Sequence, residues 1–483
     1  MIKVPEEVKM AVKELEKSGY EAYLVGGCVR DVVMGRKPKD WDVATSARPE
    51  EIQKVFPDSV YENNFGTVGV KTRSEDPVLK ILEITTFRSE SEYEDARHPR
   101  KVEFVSSVEE DLSRRDFTVN AMALNLKLSL IDPYGGQKDL KNKIIKAVGD
   151  PHKRFEEDAL RLMRAVRFAV ELGFHIDHKT LEALNEKSGL LEEISKERIR
   201  DELIKIIMAD RAAEGFIILE DTGLLKHVIP ELREGIGCSQ NKHHIYTVFE
   251  HNIRALNYTA EKNYSLAVRL ASLLHDVGKP RVKRGDGPDS TFYNHEVVGA
   301  RMAMKILDRL HFSREIVEKV GHLVRFHLFY YNVGEVTESG VRRFLARVGP
   351  ENVDDLLKVR EADRIGSGVP KAFPYKLRHL LFMIDKVKRD PISPKMLKID
   401  GMDVMKITNS APGPKVGWIL SILLEEVLDD PKKNDMDYLE SRTKYLSFLS
   451  DKDLKSMSEK AREVKDEFES GAEDEMKKKY YVK

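Results

Sequence analysis

The stretch LVGGCVRD, residues 24–31, decides how the first part of this chain folds. An apolar strand runs directly into the paired glycines Gly26 and Gly27. Backbone N–H groups at such a turn can approach phosphate oxygens, and Arg30 adds a forked cation. Paired glycines alone usually make only a turn, so the phosphate-binding interpretation depends on the residues that come after them in the chain.

A pair of carboxylates comes next, in KDWDVAT, residues 39–45. Asp40 and Asp42 alternate with Trp41, so on a strand both carboxylates point to the same face. Two oxygen ligands on one face suit Mg²⁺ held against a triphosphate. A D-x-D pattern is common on protein surfaces, but its position just after the glycine turn favours a magnesium and phosphate site.

The composition is that of a richly charged globular protein. The chain has 483 residues, enough for three or four domains, with 41% hydrophobic and 34% charged residues. Its formal net charge of −1 means that any nucleic acid contact must come from local basic surface. Cys28 and Cys238 form no CxxC pair, which argues against a disulfide framework and for a reducing compartment. The acidic start and the short apolar runs predict a cytoplasmic protein without membrane contact.

The order of the secondary-structure signals predicts an α+β chain. Strand and helix signals alternate over 1–150 and predict a head with a mixed sheet and helices. From Phe155 onward the pattern is helical almost without interruption. We expect a helical neck that contacts RNA over 151–240, a histidine-rich helical domain over 241–370 and a helical tail over 371–483. The tail is the expected site of further RNA contact.

Five motifs occur in an order that resembles a known family. The similarity covers roughly the first 210 residues and ends in ERIRDELIKII. The motifs are GGCVRD, DWDVAT, RRDF with Asn120-Ala121, DPYGGQKDL, and Glu157-Asp158 with Arg161. In this order they resemble the class II template-independent nucleotidyltransferases, which include the tRNA CCA-adding enzymes and the bacterial poly(A) polymerases. The resemblance implies transfer of a nucleotide onto an RNA 3′ end.

The resemblance also implies roles for residues of the head. Asp40 and Asp42 would be the catalytic magnesium ligands, and Glu83, in LEITTFR, would supply a third carboxylate unless it is an ordinary surface glutamate. Arg115 corresponds to the triphosphate-contacting arginine of the family. The residues expected to bind nucleotide are Gly26, Gly27, Arg30, Arg115, Asn120, Asp158, Arg161, Arg164 and Arg167.

One helix, in EEDALRLMRAVRFAV, is expected to carry Asp158, Arg161, Arg164 and Arg167. One interpretation is an i,i+4 ion pair between Glu157 and Arg161. In the other, Asp158 accepts from the exocyclic amine of a base while Arg161 donates to the adjacent ring nitrogen. Adenine and cytosine both present an amine beside an acceptor nitrogen. Guanine and uracil present a carbonyl beside an N–H, which would repel both contacts. Given the other motifs, we favour a pocket that admits ATP and CTP.

A polar segment, SESEYEDARHPRKVEF, begins after Arg88 and reaches Phe104. It has no periodicity and resembles the flexible loop of the family, including the RHP element at 97–99. An ordinary surface loop is the alternative. A loop of full length argues against the branch of the family that adds only cytosines.

A second candidate site combines histidines and aspartates in the helical region. The adjacent His275-Asp276 pair lies in an apolar stretch, SLLHDVGK, where two buried polar groups favour a metal. The order of the residues resembles the HD-domain phosphohydrolases with enough ligands for two metals. A divalent Mn, Ni, Fe or Mg ion would suit these donors. The expected ligands are His251, His275, Asp276, His295, His322 and Asp363.

Together these features predict an RNA nucleotidyltransferase that adds CCA to tRNA 3′ ends from CTP and ATP, with a possible HD phosphoesterase activity. A poly(A) polymerase or an enzyme that adds only the terminal A shares the same motifs and is the nearest alternative. A different class, an HD phosphohydrolase whose head only holds RNA, is opposed by the complete set of predicted metal ligands in the head. The sequence does not indicate an oligomeric state.

Overall fold

The structure is a computed structural model. It describes residues 3–61, 66–93, 99–241, 245–285, 287–329, 331, 336–368, 375–387 and 389–461. The chain forms two compact units, and each is considered by itself. The first unit contains the described residues of 1–234, 260–266 and 306–313, and the second contains those of 235–259, 267–305 and 314–483.

The first unit is built on a mixed seven-stranded sheet. All strands described in the unit, in chain order, are β1 (Ala22–Val25), β2 (Asp42–Thr45), β3 (Ser59–Tyr61), β4 (Thr67–Lys71), β5 (Ile81–Thr86), β6 (Arg88–Tyr93), β7 (Pro99–Phe104), β8 (Ala123–Leu124), β9 (Leu130–Ile131), β10 (Ile144–Ile145) and β11 (His175–Ile176). Two smaller sheets, β6 with β7 and β10 with β11, have two strands each. The order in the main sheet is β3-β4-β5-β2-β1-β8-β9. Its central pair, β2 and β5, is parallel, and the other neighbours are antiparallel. The two strands that carry Asp42 and Glu83 are therefore adjacent.

Helices cover the sheet and continue beyond it. In the first 234 residues they are α1 (Glu6–Lys17), α2 (Gly27–Val33), α3 (Pro49–Val55), α4 (Val108–Ser113), α5 (Gly136–Asn142), α6 (Pro151–Glu157), α7 (Leu160–Leu172), α8 (His178–Lys187), α9 (Lys196–Met208), α10 (Ala212–Asp221), α11 (Leu225–Val228) and α12 (Pro230–Arg233). A buried cluster that includes Val25, Ala44 and Phe87 packs between the sheet and α4. Burial of these apolar side chains fixes the strands that bear the candidate site.

The rest of the described chain is helical. Its helices are α13 (Val248–Glu261), α14 (Leu266–Leu274), α15 (Lys279–Val282), α16 (His295–Arg309), α17 (Arg314–Phe326), α18 (Glu338–Val348), α19 (Pro350–Gly366), α20 (Tyr375–Val387), α21 (Gly401–Thr408), α22 (Pro414–Asp429) and α23 (Met436–Ser447). A further helical segment covers 451–461. The predicted α+β head followed by helical regions is confirmed. Among the described helices, none is both long and apolar enough to cross a membrane.

Two local predictions were wrong. The helix expected to carry Asp158 is interrupted there, because α6 ends at Glu157 and α7 begins at Leu160. Asp158 has extended backbone angles, and its carboxylate accepts from the N–H of Leu160 at 3.1 Å, so it forms an Asx-type turn just before the second helix. The segment expected to be a loop between Arg88 and Phe104 contains the antiparallel strands β6 and β7, and residues 94–98 lie outside the described residues.

Candidate active site and metal cluster

The carboxylates of the head are brought together by the sheet. Asp42 lies opposite Glu83 in the parallel pairing of β2 with β5. Asp40 precedes the strand, which begins only at Asp42, and the buried Trp41 separates the two aspartates. The strand therefore provides one carboxylate rather than two. Asp40 still lines the same cleft as Asp42 and the glycine turn.

The electrostatics of Asp42 reflect this crowding. Burial, together with the negative charges of Asp40 and Glu83, raises the pKa of the Asp42 carboxyl to about 6, against the opposing effect of Arg115. Three carboxylates close together repel one another and disfavour the ionised form. A divalent cation relieves that repulsion, and hard oxygen donors are the ligands that Mg²⁺ prefers. The donor set therefore fits a magnesium ion.

The glycine turn leaves room for the cations of the site. Gly26 has φ +76°, and a Cβ there would lie 2.8 Å from Nη1 of Arg115. A Cβ at Gly27 would lie 3.7 Å from Nη2 of Arg30 and 3.9 Å from an oxygen of Asp40. Position 26 requires a glycine, because another residue type would be strained in this backbone conformation and its Cβ would crowd the guanidinium of Arg115. The predicted turn thus has cations and a carboxylate directly beside it.

Asp116 is a residue of the site that sequence reasoning missed. It is 6% exposed, and its two carboxylate oxygens accept from different partners. Asn120 donates to Oδ1 at 3.2 Å, and Nε of Arg164 donates to Oδ2 at 2.8 Å. Asn120 accepts in turn from Arg30 at 2.9 Å. Although burial opposes ionisation, Arg164 holds the pKa of Asp116 far below its ordinary value.

Asp116 therefore links three of the residues predicted to bind nucleotide. The available signal was its place in the RRDF motif, four residues before Asn120. Nothing in that spacing indicates that the carboxylate is buried or that Arg164, 48 residues later, is its partner.

The two residues proposed to read the base have intramolecular partners. Arg161 donates to Glu157 at 2.7 Å and to the backbone carbonyl oxygens of Arg154, at 3.0 Å, and Arg114, at 2.9 Å. The i,i+4 ion pair considered from the sequence is thus present. Asp158 accepts from Arg198 at 3.3 Å in addition to its contact with the N–H of Leu160. Both side chains line the cleft with these partners in place.

Arg167 has a different environment from the other arginines of α7. It donates to Glu202 at 3.1 Å and lies 3.5 Å from an oxygen of Glu171. Its guanidinium also lies 4.1 Å from the ring centroid of Phe168. These partners give Arg167 a structural role in holding α7 against α9.

These groups share one cleft of about 1200 Å³. All of the predicted nucleotide-binding residues and both catalytic aspartates line it, together with further cations. The lining includes Gly26, Gly27, Arg30, Asp40, Asp42, Arg115, Asn120, Asp158, Arg161, Arg164 and Arg167, as well as Arg36, Lys37, Lys39 and Arg198. The cleft therefore combines carboxylates with a surplus of cations suited to phosphate groups.

The second unit contains a buried histidine and aspartate cluster. Nε2 of His251 lies 2.8 Å from Nε2 of His275, 3.2 Å from Oδ2 of Asp276 and 3.3 Å from Oδ1 of Asp363. Two imidazole nitrogens and two carboxylate oxygens thus converge on one point. This donor set fits a divalent transition metal.

Asp276 also faces a second group of imidazoles. Its other oxygen, Oδ1, lies 3.4 Å from Nε2 of His295 and 3.7 Å from Nε2 of His327. The two oxygens of one carboxylate therefore point to two sets of nitrogen donors. Such an arrangement suits two metal ions bridged by a carboxylate.

The fourth histidine of this cluster is His327, and the prediction of His322 was wrong. His322 is half-buried, and its Nε2 donates to the backbone carbonyl of Val348 at 2.7 Å. In His327, by contrast, Nδ1 donates to the backbone carbonyl of Val324 at 2.7 Å. This leaves Nε2 of His327 turned toward Asp276. Both histidines occur in GHLVRFH, five residues apart, a spacing that on a helix already separates their directions by about 140°.

Backbone carbonyls orient two of the other imidazoles, His275 and His295, in the same way. Nδ1 of His275 bonds to the carbonyl of Ser272 at 2.8 Å, and Nδ1 of His295 bonds to that of Phe292 at 2.7 Å. A carbonyl can only accept, so each Nε2 can act as a metal donor, as is usual for metal-bound histidine.

The pKa shifts of the cluster agree with a cation site. Burial lowers the pKa of His295 to about 4 and that of His327 to about 3, so both imidazoles are neutral at pH 7. Burial also opposes protonation of His275, but the charge of Asp276 raises its pKa to about 10. The negative potential that retains a proton there also attracts a metal cation. Lys279, whose Nζ lies 2.6 Å from Asp276, is a protein cation beside the cluster.

Three family models match successive parts of the chain. Residues 22–146 match the poly A polymerase head domain, residues 173–236 match the probable RNA and SrmB- binding site of polymerase A, and residues 248–366 match the HD domain. The head and its carboxylate cleft therefore define a nucleotidyltransferase.

Similarity to curated proteins narrows this class. The chain is 33% identical over 456 residues to the CCA-adding enzyme of Enterococcus faecalis, covering 91% of this chain and 97% of that protein. It is 47% identical over 218 residues to the CCA-adding enzyme of Lactobacillus helveticus, covering 45% of this chain and 53% of that protein. Several other curated relatives are likewise matched over about half their length. The chain belongs to the CCA-adding enzyme family.

Solved structures share the fold. The structure of the Bacillus stearothermophilus CCA-adding enzyme in complex with CTP has a TM-score of 0.67 at 27% identity, covering 91% of this chain and 97% of that one. A Thermotoga maritima CCA-adding enzyme complexed with tRNA has a TM-score of 0.56 at 20% identity, covering 92% and 96%. At that lower identity the similarity concerns the fold alone.

Proposed function

We propose that this protein adds CCA to the 3′ ends of tRNA from CTP and ATP. The observation that carries this proposal is the position of Asp40 and Asp42 beside the Gly26-Gly27 turn in a cation-lined cleft. Glu83 is exposed on the strand next to Asp42 and is not among the residues that line the cleft. Relatives over nearly the full length are CCA-adding enzymes, and related structures contain CTP, ATP or tRNA.

The reaction joins a tRNA 3′-oxygen to the α-phosphorus of a nucleoside triphosphate and releases pyrophosphate. Asp40, Asp42 and Glu83 would hold Mg²⁺, which when bound supplies charge for the pyrophosphate and favours loss of the hydroxyl proton. Arg30 and Arg115 are positioned beside the turn to bind the triphosphate oxygens. Asp116 keeps Arg164 and Asn120 in place, and through Asn120 also Arg30.

For the choice of base, we propose that Asp158 and Arg161 read the Watson–Crick edge of the incoming nucleotide. Asp158 would accept from an exocyclic amine and Arg161 would donate to the neighbouring ring nitrogen. Their present partners, Arg198 for Asp158 and Glu157 for Arg161, hold both side chains at the cleft wall. Arg164 and Arg167, which line the same cleft, would also bind the nucleotide.

The decisive experiment is to incubate the protein with CTP, ATP and tRNA lacking CCA, and to sequence the 3′ ends. Ends completed to CCA would support the proposal. Runs of A would indicate a poly(A) polymerase, and a single A on tRNA ending in CC would indicate an A-adding enzyme. Unchanged ends would favour the alternative of another class, in which the head only holds RNA.

We also propose a phosphohydrolase centre in the second unit. The position of Asp276 supports this proposal. One of its carboxylate oxygens faces His251, which Asp363 also contacts, and the other faces His295 and His327. Mn, Ni, Fe or Mg is the expected metal. Metal analysis of the purified protein, with phosphatase and phosphodiesterase assays in each metal, tests this function separately from nucleotide addition.

For the organisation of the chain, we propose the division into a head, 1–150, a neck with RNA contacts, 151–240, an HD domain, 241–370, and a tail that contacts tRNA, 371–483. The three family models lie in the first three of these ranges. A cytoplasmic location is part of the proposal, because tRNA, CTP and ATP are found there.

A further inference from the structure

The ring of Phe168, on α7, lies where three arginines of the cleft meet. Its centroid is 4.1 Å from the guanidinium carbon of Arg167, 5.4 Å from that of Arg164 and 5.5 Å from that of Arg30. A cation within about 6 Å of the centroid is attracted by the negative face of an aromatic ring. Arg30 belongs to α2 and the other two arginines belong to α7, so one ring contacts cations from two elements.

The three arginines do not share a carboxylate partner. Each pairs with its own acid, and these acids come from three different parts of the unit. The pairs are Arg30 with Asp31 at 2.8 Å, Arg164 with Asp116, and Arg167 with Glu202 at 3.1 Å. The ring of Phe168 is therefore a contact that the three guanidiniums have in common although their ion pairs are separate.

The position of Phe168 is that of a ring between the core and the cleft. It is 6% exposed and lines the cleft, whereas Ala165 and Val166 of the same helix are fully buried. The buried ring of Phe117 packs against it at a centroid distance of 5.7 Å and an interplanar angle of 78°. This edge contact is a favoured arrangement of two aromatic rings. Phe117 directly follows Asp116, so the RRDF motif holds the orientation of Phe168.

The positive charges around this ring repel one another. Burial and the charge of Arg164 both lower the pKa of the Arg167 guanidinium, against the attraction of Glu202. An aliphatic side chain in the place of Phe168 would fill the same space without offering any compensating charge. The face of an aromatic ring offers partial negative charge, and the benefit is larger where water is excluded. A ring at this position thus allows three cations to lie closer together than apolar packing alone permits.

Cations held in this way are prepared for phosphate groups. Arginine side chains are rich in rotamers, and ordering them when a ligand binds costs conformational entropy. A guanidinium that is already fixed at the cleft wall avoids that cost and binds the ligand more tightly. All three arginines line the cleft that contains the glycine turn. The ring therefore contributes to phosphate binding without contacting phosphate.

We propose that Phe168 is a positioning residue for nucleotide binding, whose ring holds these three guanidiniums in the cleft so that they meet the phosphates of the incoming triphosphate. It acts through the arginines and does not stack on the base. The proposal rests on the proposed nucleotide addition, because that reaction supplies the triphosphate. The contacts between the ring and the arginines are independent of that reaction.

The sharpest test changes the charge distribution of the ring and leaves its shape nearly intact. Phenylalanines that carry one, two or three fluorine atoms are inserted at position 168 of the full chain, since each fluorine weakens the negative face of the ring. Binding of CTP and of pyrophosphate is measured by calorimetry with Mg²⁺ and without tRNA. We expect Kd for both ligands to rise with each fluorine, by about tenfold over the series.

The matched control is the same series at Phe216, which is fully buried on α10 of the same unit and has no cation over its ring among the described residues. Its Kd values should stay constant. A constant Kd across the series at position 168 would refute the proposal. A rise for CTP alone would also refute it, because pyrophosphate has no base and such a result would mean that the ring stacks on the base.

A second experiment separates the role of the ring from the transfer reaction. Phe168→Leu should raise both Kd and KM for CTP about tenfold with a smaller effect on kcat, whereas Phe168→Tyr, which keeps the ring, should remain within about twofold of wild type. Extension of tRNA lacking CCA gives KM and kcat. If the wild-type protein binds CTP but extends no tRNA, the proposed addition fails and the binding measurements still decide the role of the ring. Equal losses in the two variants, or binding of neither ligand by the wild type, would overturn the positioning role.

Discussion

Arg164 donates through Nε to Oδ2 of Asp116, at 2.8 Å, and this contact ties α7 to the loop that comes after α4. The same carboxylate accepts from Asn120, which bonds to Arg30 beside the glycine turn. Three residues predicted to bind nucleotide, Arg30, Asn120 and Arg164, therefore depend on a single buried acid. Loss of its charge should affect both stability and triphosphate binding.

We expect Asp116→Asn to destabilise the first unit by up to about 3 kcal/mol at pH 7, because it leaves Arg164 without its buried counter-charge. The pKa of Asp116 is lowered in the folded protein, so its stabilisation is present above the unfolded value of 3.8 and is lost as pH falls through the folded pKa. Urea unfolding at pH 7 and at pH 2.5, which lies below the unfolded value, measures this. The difference from wild type should shrink at the lower pH.

The control for this variant is Asp201→Asn, which removes an exposed carboxylate that also pairs with an arginine, Arg200. Exposed ion pairs contribute little, so its stability should stay close to that of wild type. If Asp116→Asn unfolds no more readily than Asp201→Asn, the buried network does not hold the cleft together.

Asp42→Asn is expected to reduce nucleotide addition by at least about 10³-fold while tRNA affinity stays near normal. Loss of a magnesium ligand removes several kcal/mol of transition-state stabilisation, and each 1.4 kcal/mol is tenfold in rate. Incorporation of labelled CTP and a tRNA binding curve measure the two quantities. Asp58→Asn, at an exposed carboxylate of the same unit, is the matched control. Near-normal addition by the Asp42 variant would refute the assignment of the catalytic carboxylates.

The raised pKa of Asp42, about 6, makes a separate prediction for the metal-free protein. A carboxyl with a raised pKa contributes stability that is present below its unfolded value of 3.8 and is lost as pH rises through about 6. In EDTA, Asp42→Asn should therefore raise Tm at pH 8 and change it little at pH 4.5. Adding Mg²⁺ at pH 8 should remove the advantage of the variant. A variant less stable than wild type in EDTA at pH 8 would contradict the proposed carboxylate repulsion.

Asp158→Ala combined with Arg161→Ala should relax selection among the four nucleotides more than it weakens triphosphate binding. The lost edge contacts are worth about 1–3 kcal/mol for a bidentate pair, whereas the glycine turn and Arg30 remain. Single-turnover rates with each NTP give the measurement. Glu157→Gln, which removes only the ion pair of Arg161, is the control. An unchanged preference for CTP and ATP in the double variant would leave the pair with a structural role only.

The histidine assignment is tested by two variants on one short stretch of chain. His327→Ala should lower the metal content of the purified full-length protein, because Nε2 of His327 faces Asp276. His322→Ala should leave it unchanged, because the same nitrogen of His322 is bonded to the carbonyl of Val348. His275→Ala with Asp276→Ala should abolish metal binding in this unit and leave nucleotide addition intact. Elemental analysis and labelled-CTP incorporation decide the outcome.

Some features of the site were predictable because they are local in sequence. The glycine turn and the Asp40 and Asp42 pair lie within twenty residues, and this short separation with the turn chemistry was enough to indicate that they are close. The strand periodicity expected for the two aspartates was wrong, because β2 begins only at Asp42. The adjacency of His275 and Asp276 in an apolar stretch likewise indicated a buried polar site. Both are properties of neighbouring residues, which local backbone geometry controls.

Other features depended on orientation at the end of a helix. His322 and His327 are five residues apart, and either could complete the cluster by sequence alone. The packing of α17 decided in favour of His327, because His322 faces the carbonyl of Val348 whereas Nε2 of His327 faces Asp276. The break at Asp158 is also a local event that the pattern hides, since its carboxylate accepts from the N–H of Leu160 and competes with a continuous helix.

By itself the sequence determined the α+β head followed by helices, the local motifs and their resemblance to nucleotidyltransferases. Only the tertiary structure decided which distant side chains became partners. The parallel register set Glu83 opposite Asp42, burial joined Asp116 to Arg164, and α20 brought His379 to Tyr331. The physical reason is that motifs arise from backbone geometry over a few residues. Long-range partners are fixed by strand register and by the packing of whole elements.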